Sequence, residues 1–306
     1  MRILIVGAGA TGGYFGGRLA AAGRDVTFLV RPGRAGTLRE RGLRIKGPDG
    51  EAWVERPRTI TADTVDGPYD LILLAVKSYA LEQALLDLAP AVGPRTVVVP
   101  LLNGMRHVDE LLGAFGPERA WGAICMIHAS LDADGDVVQA TGLHRLDFGT
   151  LDGSADARIP AVTETLSGAG FDSQASATIV WDMWEKWVFL SCLGAATTLM
   201  RAPVGEINAA PGGADLGARI AAEAIAIATA AGYPPRPGAV ALLQAGIEST
   251  APMTSSLYRD MMQGRPVEAD AIIGDFVSEA GKYDVPAPMF GAAYTNLSIY
   301  QARRAG

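Results

Sequence analysis

The sequence predicts an α/β domain followed by an all-helical domain, and three observations support this fold class. A short apolar run over residues 2–6 is followed at once by three closely spaced glycines and a helical pattern. Further short apolar runs in the first half are typical of strands that are buried on both faces. From residue 178 onward, apolar residues recur at helical spacing and no strand pattern stands out. The predicted domains are therefore residues 1–177 and 178–306.

The predicted α/β domain begins with one βαβ unit. Strands over 2–6 and 25–30 are joined by a helix over 10–22. A β-rich stretch from about residue 119 to 149 contains a hairpin turn at Asp134-Gly135. The other predicted elements of this half are strands over 70–76 and 96–101 and a helix over 79–92.

The second half is predicted to be helical throughout. Proline and glycine residues interrupt the helical pattern at intervals, which indicates separate helices joined by short loops. The predicted helices cover residues 181–200, 214–231, 237–247, 254–263, 267–283 and 288–303.

Composition excludes several classes of protein. With 306 residues, 49% hydrophobic and 19% charged, the chain is too apolar to be mainly disordered. Its net charge of −7 argues against nucleic acid as a partner. No apolar run is long enough to predict a membrane span, and the N-terminus does not resemble a signal peptide.

The cysteines and histidines predict neither disulfides nor a metal site. Cys125 and Cys192 are far apart in sequence, so reduced thiols and a cytoplasmic location are expected. The three histidines lie at no spacing typical of metal ligands.

The glycine-rich segment predicts a dinucleotide-binding turn of the Rossmann type. Gly7-Ala8-Gly9-Ala10-Thr11-Gly12 matches G-x-G-x-x-G between a strand and a helix. Gly7 permits a tight turn, Gly9 lets a pyrophosphate approach the backbone, and Gly12 lets the helix pack closely on the strand. The alternative is a tight βα turn without a ligand.

The end of the second predicted strand indicates the choice of cofactor. An acidic residue there would bind the ribose of NAD, whereas this strand leads into Arg31, with Arg34 close behind. A guanidinium suits a 2′-phosphate, so the sequence predicts NADP(H). The alternative is a solvated surface arginine.

Two polar residues follow predicted strands of the sheet. Lys77 comes directly after the strand over 70–76, and Asn103 follows the strand over 96–101. Because the carboxyl ends of parallel strands line the ligand crevice, both residues are expected beside the cofactor. The alternative for each is a polar residue that caps a loop.

Lys186 and Glu268 are the candidates for acid–base chemistry in the second half. Lys186 lies between two tryptophans on an apolar helix, where desolvation would lower its pKa from about 10.4. Such a lysine suits proton transfer near neutral pH. Glu268 follows Pro266 at the start of a predicted helix. The alternatives are a lysine at a helix edge and a first-turn carboxylate that favours the helix dipole.

Taken together, these motifs resemble the 2-dehydropantoate 2-reductase (ketopantoate reductase) family over nearly the whole chain. In order, the matching features are GAGATG at 7–12, Arg31, AVK ending at Lys77, LLNG holding Asn103, the helix with Lys186, GEI at 205–207, SSLYRD from Ser255, and Glu268. The resemblance implies NADPH-dependent reduction of a 2-oxo acid in pantothenate biosynthesis, in a cleft between the two domains. It implies a general acid at Lys186 and an essential carboxylate at Glu268. It further implies contacts to nicotinamide and substrate from Asn103, and to substrate from Ser256.

The chain departs from the family pattern at positions that usually hold substrate-facing asparagines. Leu190, Gly194, Val204 and Met253 stand there instead. A site without these amides discriminates less for a hydroxylated substrate, which suggests a less polar oxo acid than ketopantoate. Two alternatives remain open: a related two-domain dehydrogenase that forms an opine or a 3-hydroxy acid, and a non-catalytic NADP(H)-binding or sensing protein.

Several questions stay open at this level. The sequence does not determine the physiological substrate, domain closure or the oligomeric state, for which a homodimer is one option. Of the 26 basic residues only four are lysines, and two of them, Lys46 and Lys282, have no predicted role.

Overall fold

The computed structural model describes residues 1–48 and 50–305 and contains two compact units. The first unit comprises Met1–Leu102 and His107–Val180, and the second comprises Asn103–Arg106 together with the chain from Trp181 onward. The first is an α/β unit around a parallel sheet, and the second is built from helices. The predicted fold class is confirmed.

The elements are numbered here in chain order. The strands are β1 (Arg2–Val6), β2 (Asp25–Leu29), β3 (Leu43–Lys46), β4 (Ala52–Val54), β5 (Arg58–Ile60), β6 (Tyr69–Leu74), β7 (Val92–Pro100), β8 (Trp121–Leu131), β9 (Val137–Thr150) and β10 (Asp172–Ala175). The helices are α1 (Ala10–Ala21), α2 (Pro32–Arg41), α3 (Leu81–Leu88), α4 (Arg106–Phe115), α5 (Ile159–Leu166), α6 (Ile179–Met200), α7 (Val204–Ala209), α8 (Gly213–Ala230), α9 (Pro237–Ile247), α10 (Ser256–Met262), α11 (Asp275–Lys282) and α12 (Pro288–Ala305). A π-helical turn spans Asp270–Gly274, and short 3₁₀ turns span Ala62–Thr64, Ser78–Ala80 and Ala89–Ala91. Within the described residues, no helix combines the length and apolarity that crossing a membrane requires.

The main sheet is parallel and buried on both faces. Its strand order is β5-β2-β1-β6-β7. Because side chains alternate along a strand, Ile3 and Ile5 of β1 join one apolar cluster while Leu4 and Val6 join the other. Each of these side chains is almost completely buried and contributes roughly 1.5–3 kcal/mol to folding. This burial explains why the strand sequences are continuously apolar.

The register of the sheet brings the ends of four strands to one edge. Val6 of β1 lies beside Leu29 of β2 on one side and Leu74 of β6 on the other, and Leu74 lies beside Pro100 of β7. The strand order reverses at β1, because β2 pairs with one side of β1 and β6 pairs with the other. Ligands of open α/β sheets bind at such a switch point.

A second sheet in the first unit has the order β10-β9-β3-β4, with β8 paired to β9. The β8–β9 hairpin confirms the predicted turn at Asp134-Gly135. Asp132 stabilises this turn by accepting hydrogen bonds from the backbone N–H groups of Asp134 (3.0 Å) and Asp136 (2.9 Å). The short strands over residues 43–60 were not predicted, because segments of three or four residues carry too few apolar positions to show a period.

The second unit differs from the prediction at the helix over 267–283 and at the short α7, which was not predicted. The sequence predicted a regular helix over 267–283, whereas the structure has the π turn Asp270–Gly274 and then α11. The ring of Tyr294 packs against Gly274, where a Cβ atom would lie 2.8 Å from the ring. The Tyr294 hydroxyl donates a hydrogen bond to Asp270 Oδ1 at 2.8 Å. Both contacts come from another helix, so the local sequence pattern could not reveal the irregularity.

Candidate functional site

Two glycines of the glycine-rich turn are required by the packing of the turn itself. Gly7 has φ +93°, a conformation that side chains disfavour, and a Cβ there would lie 2.8 Å from the carbonyl oxygen of Ala75. A Cβ on Gly12 would lie 2.0 Å from the carbonyl oxygen of Gly7. The turn therefore folds tightly against the end of β6 only because both side chains are absent.

Gly9 is different, because the space beside it is open. Apart from its chain neighbours, no heavy atom of the described residues lies within 4 Å of the position that its Cβ would take. Gly9 is also the N-cap of the 12-residue α1, whose first turn contains no acidic residue. The free backbone N–H groups and the positive end of the helix dipole favour an anion at this position. The open space at Gly9 is thus a cradle that a Cβ would fill.

A cavity of about 430 Å³ in the first unit includes the first part of this turn. Among the residues that the structure describes, its charged lining consists of Arg31, Arg34 and Lys77 with one carboxylate, Asp87. Arg31 and Lys77 are exposed, and Arg34 is half-buried. The excess of positive charge favours an anionic ligand.

Arg34 ties this cavity to the glycine-rich turn. Its Nε donates a hydrogen bond to the carbonyl oxygen of Ala8 at 2.9 Å. Its Nη2 is buried and makes no hydrogen bond to any residue that the structure describes. Burial lowers the pKa of Arg34, while the nearby carboxylate of Asp136 raises it. The side chain thus holds a spare hydrogen-bond donor beside the turn, which an oxygen atom of an anion could satisfy.

These features fit a phosphorylated dinucleotide. The turn leaves room for a pyrophosphate at Gly9, and the lining is positively charged. After β2 the chain continues Val30-Arg31-Pro32, so no carboxylate follows this strand to receive an unphosphorylated ribose. The structure brings the predicted residues Gly7–Gly9, Arg31 and Lys77 together around one cavity.

In the second unit, Lys186 lies on α6 between two buried aromatic residues. Trp184 stacks on Tyr233 with ring centroids 5.3 Å apart, and Trp187 meets Phe276 edge to face at 4.8 Å. Both tryptophans are buried and Lys186 is half-buried. This packing fixes the part of α6 that carries the lysine.

Glu268 is buried just before the π turn. Only 6% of the residue is exposed, which is unusual for a glutamate. Its carbonyl oxygen accepts a hydrogen bond from the N–H of Ile272 at 3.2 Å, so its backbone is anchored to the turn. A buried carboxyl at a fixed position suits a role in binding or proton transfer.

Asn103 belongs to a segment that packs against the same π turn. The following residue, Gly104, has φ +80°, and a Cβ there would lie 2.2 Å from the carbonyl oxygen of Ala271. Two residues further on, Arg106 forms an ion pair with Asp275 at the start of α11, in which Nε donates to Oδ2 at 3.0 Å. The structure therefore brings the segment of Asn103 and the helix start of Glu268 together. Sequence reasoning missed the Arg106–Asp275 pair, since the two residues are 169 positions apart.

Ser256 is the first residue of α10 and is half-buried. Its neighbour Ser255 caps the helix by accepting a hydrogen bond from the N–H of Tyr258 at 3.0 Å. The hydroxyls of Ser255 and Thr197 lie 2.8 Å apart, which ties the start of α10 to α6.

The two lysines without a predicted role form ion pairs. Lys46 Nζ lies 2.8 Å from Asp136 Oδ2 and 3.2 Å from Asp132 Oδ2. Lys282 Nζ lies 3.6 Å from Glu279 on the same helix. Over the part of the chain that the structure describes, no cluster of three or more His, Cys, Asp or Glu side chains forms a potential metal site.

Comparison with known proteins identifies the family. Residues 3–153 match the family described as "Ketopantoate reductase PanE/ApbA", and residues 178–301 match "Ketopantoate reductase PanE/ApbA C terminal". The chain is 34% identical over 308 residues to "Uncharacterized oxidoreductase YkpB" of Bacillus subtilis (strain 168), covering 99% of this chain and all of that protein.

Solved structures share the fold over both units. The 2-dehydropantoate 2-reductase from Geobacter metallireducens GS-15 has a TM-score of 0.88 and 26% identity, and 98% of this chain and 99% of that one are covered. A ternary structure of D-mandelate dehydrogenase with NADH and anilino(oxo)acetate also has a TM-score of 0.88, at 23% identity over the full length of both chains. The chain belongs to the ketopantoate reductase PanE/ApbA family of oxidoreductases.

Proposed function

We propose that the protein is an NADPH-dependent reductase of a 2-oxo acid. The observation that carries this proposal is the open cradle at Gly9 in a cationic cavity, with no carboxylate following β2. Family membership supports the reaction class, and relatives named 2-dehydropantoate 2-reductase support the 2-oxo acid. We also propose a cytoplasmic location, because the sequence has only two cysteines, far apart along the chain, a usage typical of proteins from reducing compartments.

The cofactor is proposed to bind in the cavity of the first unit. The turn Gly7–Gly12, including Ala8, Ala10 and Thr11, would hold the pyrophosphate with backbone N–H groups. Arg31 would bind the 2′-phosphate with support from Arg34, and Lys77 would add a positive charge nearby. When bound, NADPH supplies a hydride from its nicotinamide ring.

The residues of the second unit would handle the substrate oxygen and the proton. Lys186 would polarise the substrate carbonyl and donate a proton to the oxygen that becomes the hydroxyl. An acid in position contributes roughly 10²–10⁴-fold to the rate. Asn103 would contact nicotinamide and substrate through its amide donors and acceptor, and Ser256 would contact the substrate through its hydroxyl. Glu268 would contact the substrate and the cofactor ribose through its carboxyl group.

Replacement of two lysines tests the proposed acid. Lys186→Ala should lower kcat by at least about 100-fold and leave the Kd for NADPH, measured by fluorescence titration, within a factor of three. Lys282→Ala is the matched control, because it removes an exposed lysine that pairs only locally with Glu279. An equal loss of turnover in both variants, or full turnover in Lys186→Ala, would contradict the assignment.

The substrate is proposed to be less polar than ketopantoate. The family asparagines are replaced, and the surroundings of Gly194, one of these positions, are apolar. A Cβ on Gly194 would lie 3.0 Å from Leu257 Cδ1 and 3.5 Å from Ile273 Cδ1, which leaves an asparagine side chain little room. Val204 is buried, and its N–H donates a hydrogen bond to the carbonyl oxygen of Met253 at 2.9 Å. Leu190 lies one helical turn after Lys186.

A panel of 2-oxo acids would test the substrate proposal. Ketopantoate should give a lower kcat/KM than 2-oxo acids with aliphatic or aromatic substituents, since an apolar site gains nothing from the ketopantoate hydroxyl. Aryl oxo acids belong in the panel because a D-mandelate dehydrogenase with this fold has been solved with anilino(oxo)acetate. A low KM and a high kcat for ketopantoate would contradict the proposal.

Two alternatives remain, and the same assays address them. A related dehydrogenase that forms an opine would consume NADPH only when an amine is added with the oxo acid. A non-catalytic sensor would bind NADPH without oxidising it on any substrate. A homodimer is the assembly state to be tested, by light scattering of the purified chain.

A further inference from the structure

The helix that follows Glu268 contains a π turn. The N–H of Asp275 donates to the carbonyl oxygen of Asp270, five residues earlier, where an α-helix would use a separation of four. Turns of this kind occur frequently at functional sites, because the wider turn shifts the residues on one side of it relative to the other. The position of Glu268 relative to α11 thus depends on whether this turn stays in its π form.

Two side chains of α6 donate to the centre of this turn. Trp187 Nε1 lies 2.9 Å from the carbonyl oxygen of Ile272, and Ser191 Oγ lies 3.1 Å from the same oxygen. The donors are four positions apart on α6 and therefore project from one face. Both residues are buried, with 2% of Trp187 and none of Ser191 exposed, so water does not replace these bonds.

The same residue, Ile272, also connects to Glu268 through its N–H. The N–H of Ile272 donates to the carbonyl oxygen of Glu268 at 3.2 Å. A hydrogen-bonded path thus runs from Glu268 through Ile272 to Trp187 and Ser191. Trp187 is the residue directly after Lys186, so the path joins the two proposed acid–base residues through buried groups.

The segment of Asn103 touches the same turn from another part of the unit. Gly104 packs against the carbonyl oxygen of Ala271, which precedes Ile272. Arg106 pairs with Asp275, directly after the turn. The π turn is therefore in contact with each of the two chain segments that carry Asn103 and Lys186.

We propose that Trp187 and Ser191 are positioning residues, which hold the π turn and so place Glu268 relative to Lys186. The proposal rests on the proposed function, in which Lys186 and Glu268 act on the same substrate. Conversion of the π turn to an α-helical turn would move the residues on one side by about one helical position, a rise of about 1.5 Å. A displacement of about 1 Å at reacting groups costs on the order of 100-fold in rate.

The test removes the two donors. Trp187→Phe keeps an aromatic ring but loses the indole N–H and some volume, and Ser191→Ala removes the hydroxyl. The double variant leaves the Ile272 carbonyl without both side-chain donors. The matched controls lie on the same helix. Trp181→Phe removes an indole N–H that donates to Pro234 O at 3.0 Å, and Thr198→Val removes a buried hydroxyl that donates to Gly194 O at 2.7 Å.

Turnover, cofactor binding and hydrogen exchange are measured on each variant. We expect kcat of the double variant to fall at least tenfold, with the Kd for NADPH within a factor of two and each control within a factor of two in kcat. We expect faster amide exchange over residues 268–276 in the double variant than in the controls. In a Glu268→Gln background, removing the donors should have no further effect on kcat, because they act through Glu268.

The outcomes separate this proposal from the proposed function. Unchanged kcat in the folded double variant, or a full further loss in the Glu268→Gln background, overturns the positioning role. The single variants give the same decision if the double variant does not fold. Full turnover in Glu268→Gln would instead refute the role of Glu268 in the proposed function, and exchange over residues 268–276 would still decide whether the two donors hold the turn.

Discussion

Gly9 and Gly12 allow a paired test of the dinucleotide site, because they are three residues apart and differ in their surroundings. A Cβ on Gly12 would lie 2.0 Å from the backbone oxygen of Gly7 and 2.8 Å from the Cβ of Ala75. A Cβ on Gly9 would meet no atom within 4 Å. Replacement of each by alanine therefore separates the packing of the turn from the space for a ligand.

The structure predicts different magnitudes for the two variants. In Gly12→Ala the backbone must move, and overpacking of this kind costs about 1–3 kcal/mol, which lowers Tm by roughly 2–12 °C. In Gly9→Ala the backbone angles, φ −77° and ψ −159°, are allowed for alanine. Alanine makes the unfolded chain less flexible than glycine does, which raises the free energy of unfolding by about 0.4–1 kcal/mol. Alanine is also a poorer helix N-cap, which offsets this gain, so Tm should stay within about 3 °C.

The variant that changes Tm little, Gly9→Ala, should be the one that weakens cofactor binding. The added methyl group of Gly9→Ala occupies the cradle proposed for the pyrophosphate, and we expect the Kd for NADPH to rise at least tenfold, or about 1.4 kcal/mol. Thermal unfolding without cofactor and fluorescence titration with NADPH measure the two quantities. Gly9→Ala with the affinity of the original chain would refute the placement of the pyrophosphate, and Gly12→Ala with unchanged Tm would refute the packing argument.

Three further predictions concern charged groups. Arg34→Gln removes the hydrogen bond to Ala8 O and one cation of the cavity, so NADPH affinity should fall about tenfold and NADH affinity less, as titration of both cofactors would show. The hydrogen bond from Arg158 lowers the pKa of Asp156, so this pair stabilises the fold above the ordinary carboxyl pKa of about 3.9 and loses its effect as the pH falls below it. Asp156→Asn should thus cost about 1 kcal/mol at pH 7 and progressively less as the pH falls below about 3.9 in denaturant unfolding, and a constant difference across pH would contradict this. Arg236 pairs with two carboxylates of α6 but is partly exposed, so Arg236→Gln should lower the free energy of unfolding by only about 1 kcal/mol, and a loss above about 3 kcal/mol would show that it has another role.

Much of the fold could be predicted because its signals are local. The buried parts of β1, β6 and β7, over residues 3–6, 71–74 and 97–99, are continuously apolar, and the glycines of the first turn stand at the spacing that their packing requires. The short strands β3–β5 could not be predicted, because a strand of three or four residues becomes stable only through its partners in a sheet. For the same reason the sequence could not predict that Asn103–Arg106 belongs to the second compact unit, because this depends on contacts with residues that are distant in the chain.

The candidate site shows a similar division between local and distant causes. The predicted residues Gly7–Gly9, Arg31 and Lys77 meet at one cavity because parallel register aligns the strand ends that precede them. Their roles, and those of Lys186 and Glu268, stay predictions until the variants are measured. The π turn left no trace in the sequence pattern, because it depends on Trp187, Ser191 and Tyr294 from other helices.

The α/β-then-helical architecture, the glycine-rich turn and the family resemblance could all be recognised in the sequence. These follow from hydrophobic period, backbone freedom at glycine and motif order, which are all properties of neighbouring residues. The folded structure was needed to see which glycine leaves space for a ligand and that Lys46 and Lys282 form ion pairs. It also decided how the helix after Glu268 is wound. These properties depend on atoms that are far apart in the chain and adjacent only after folding.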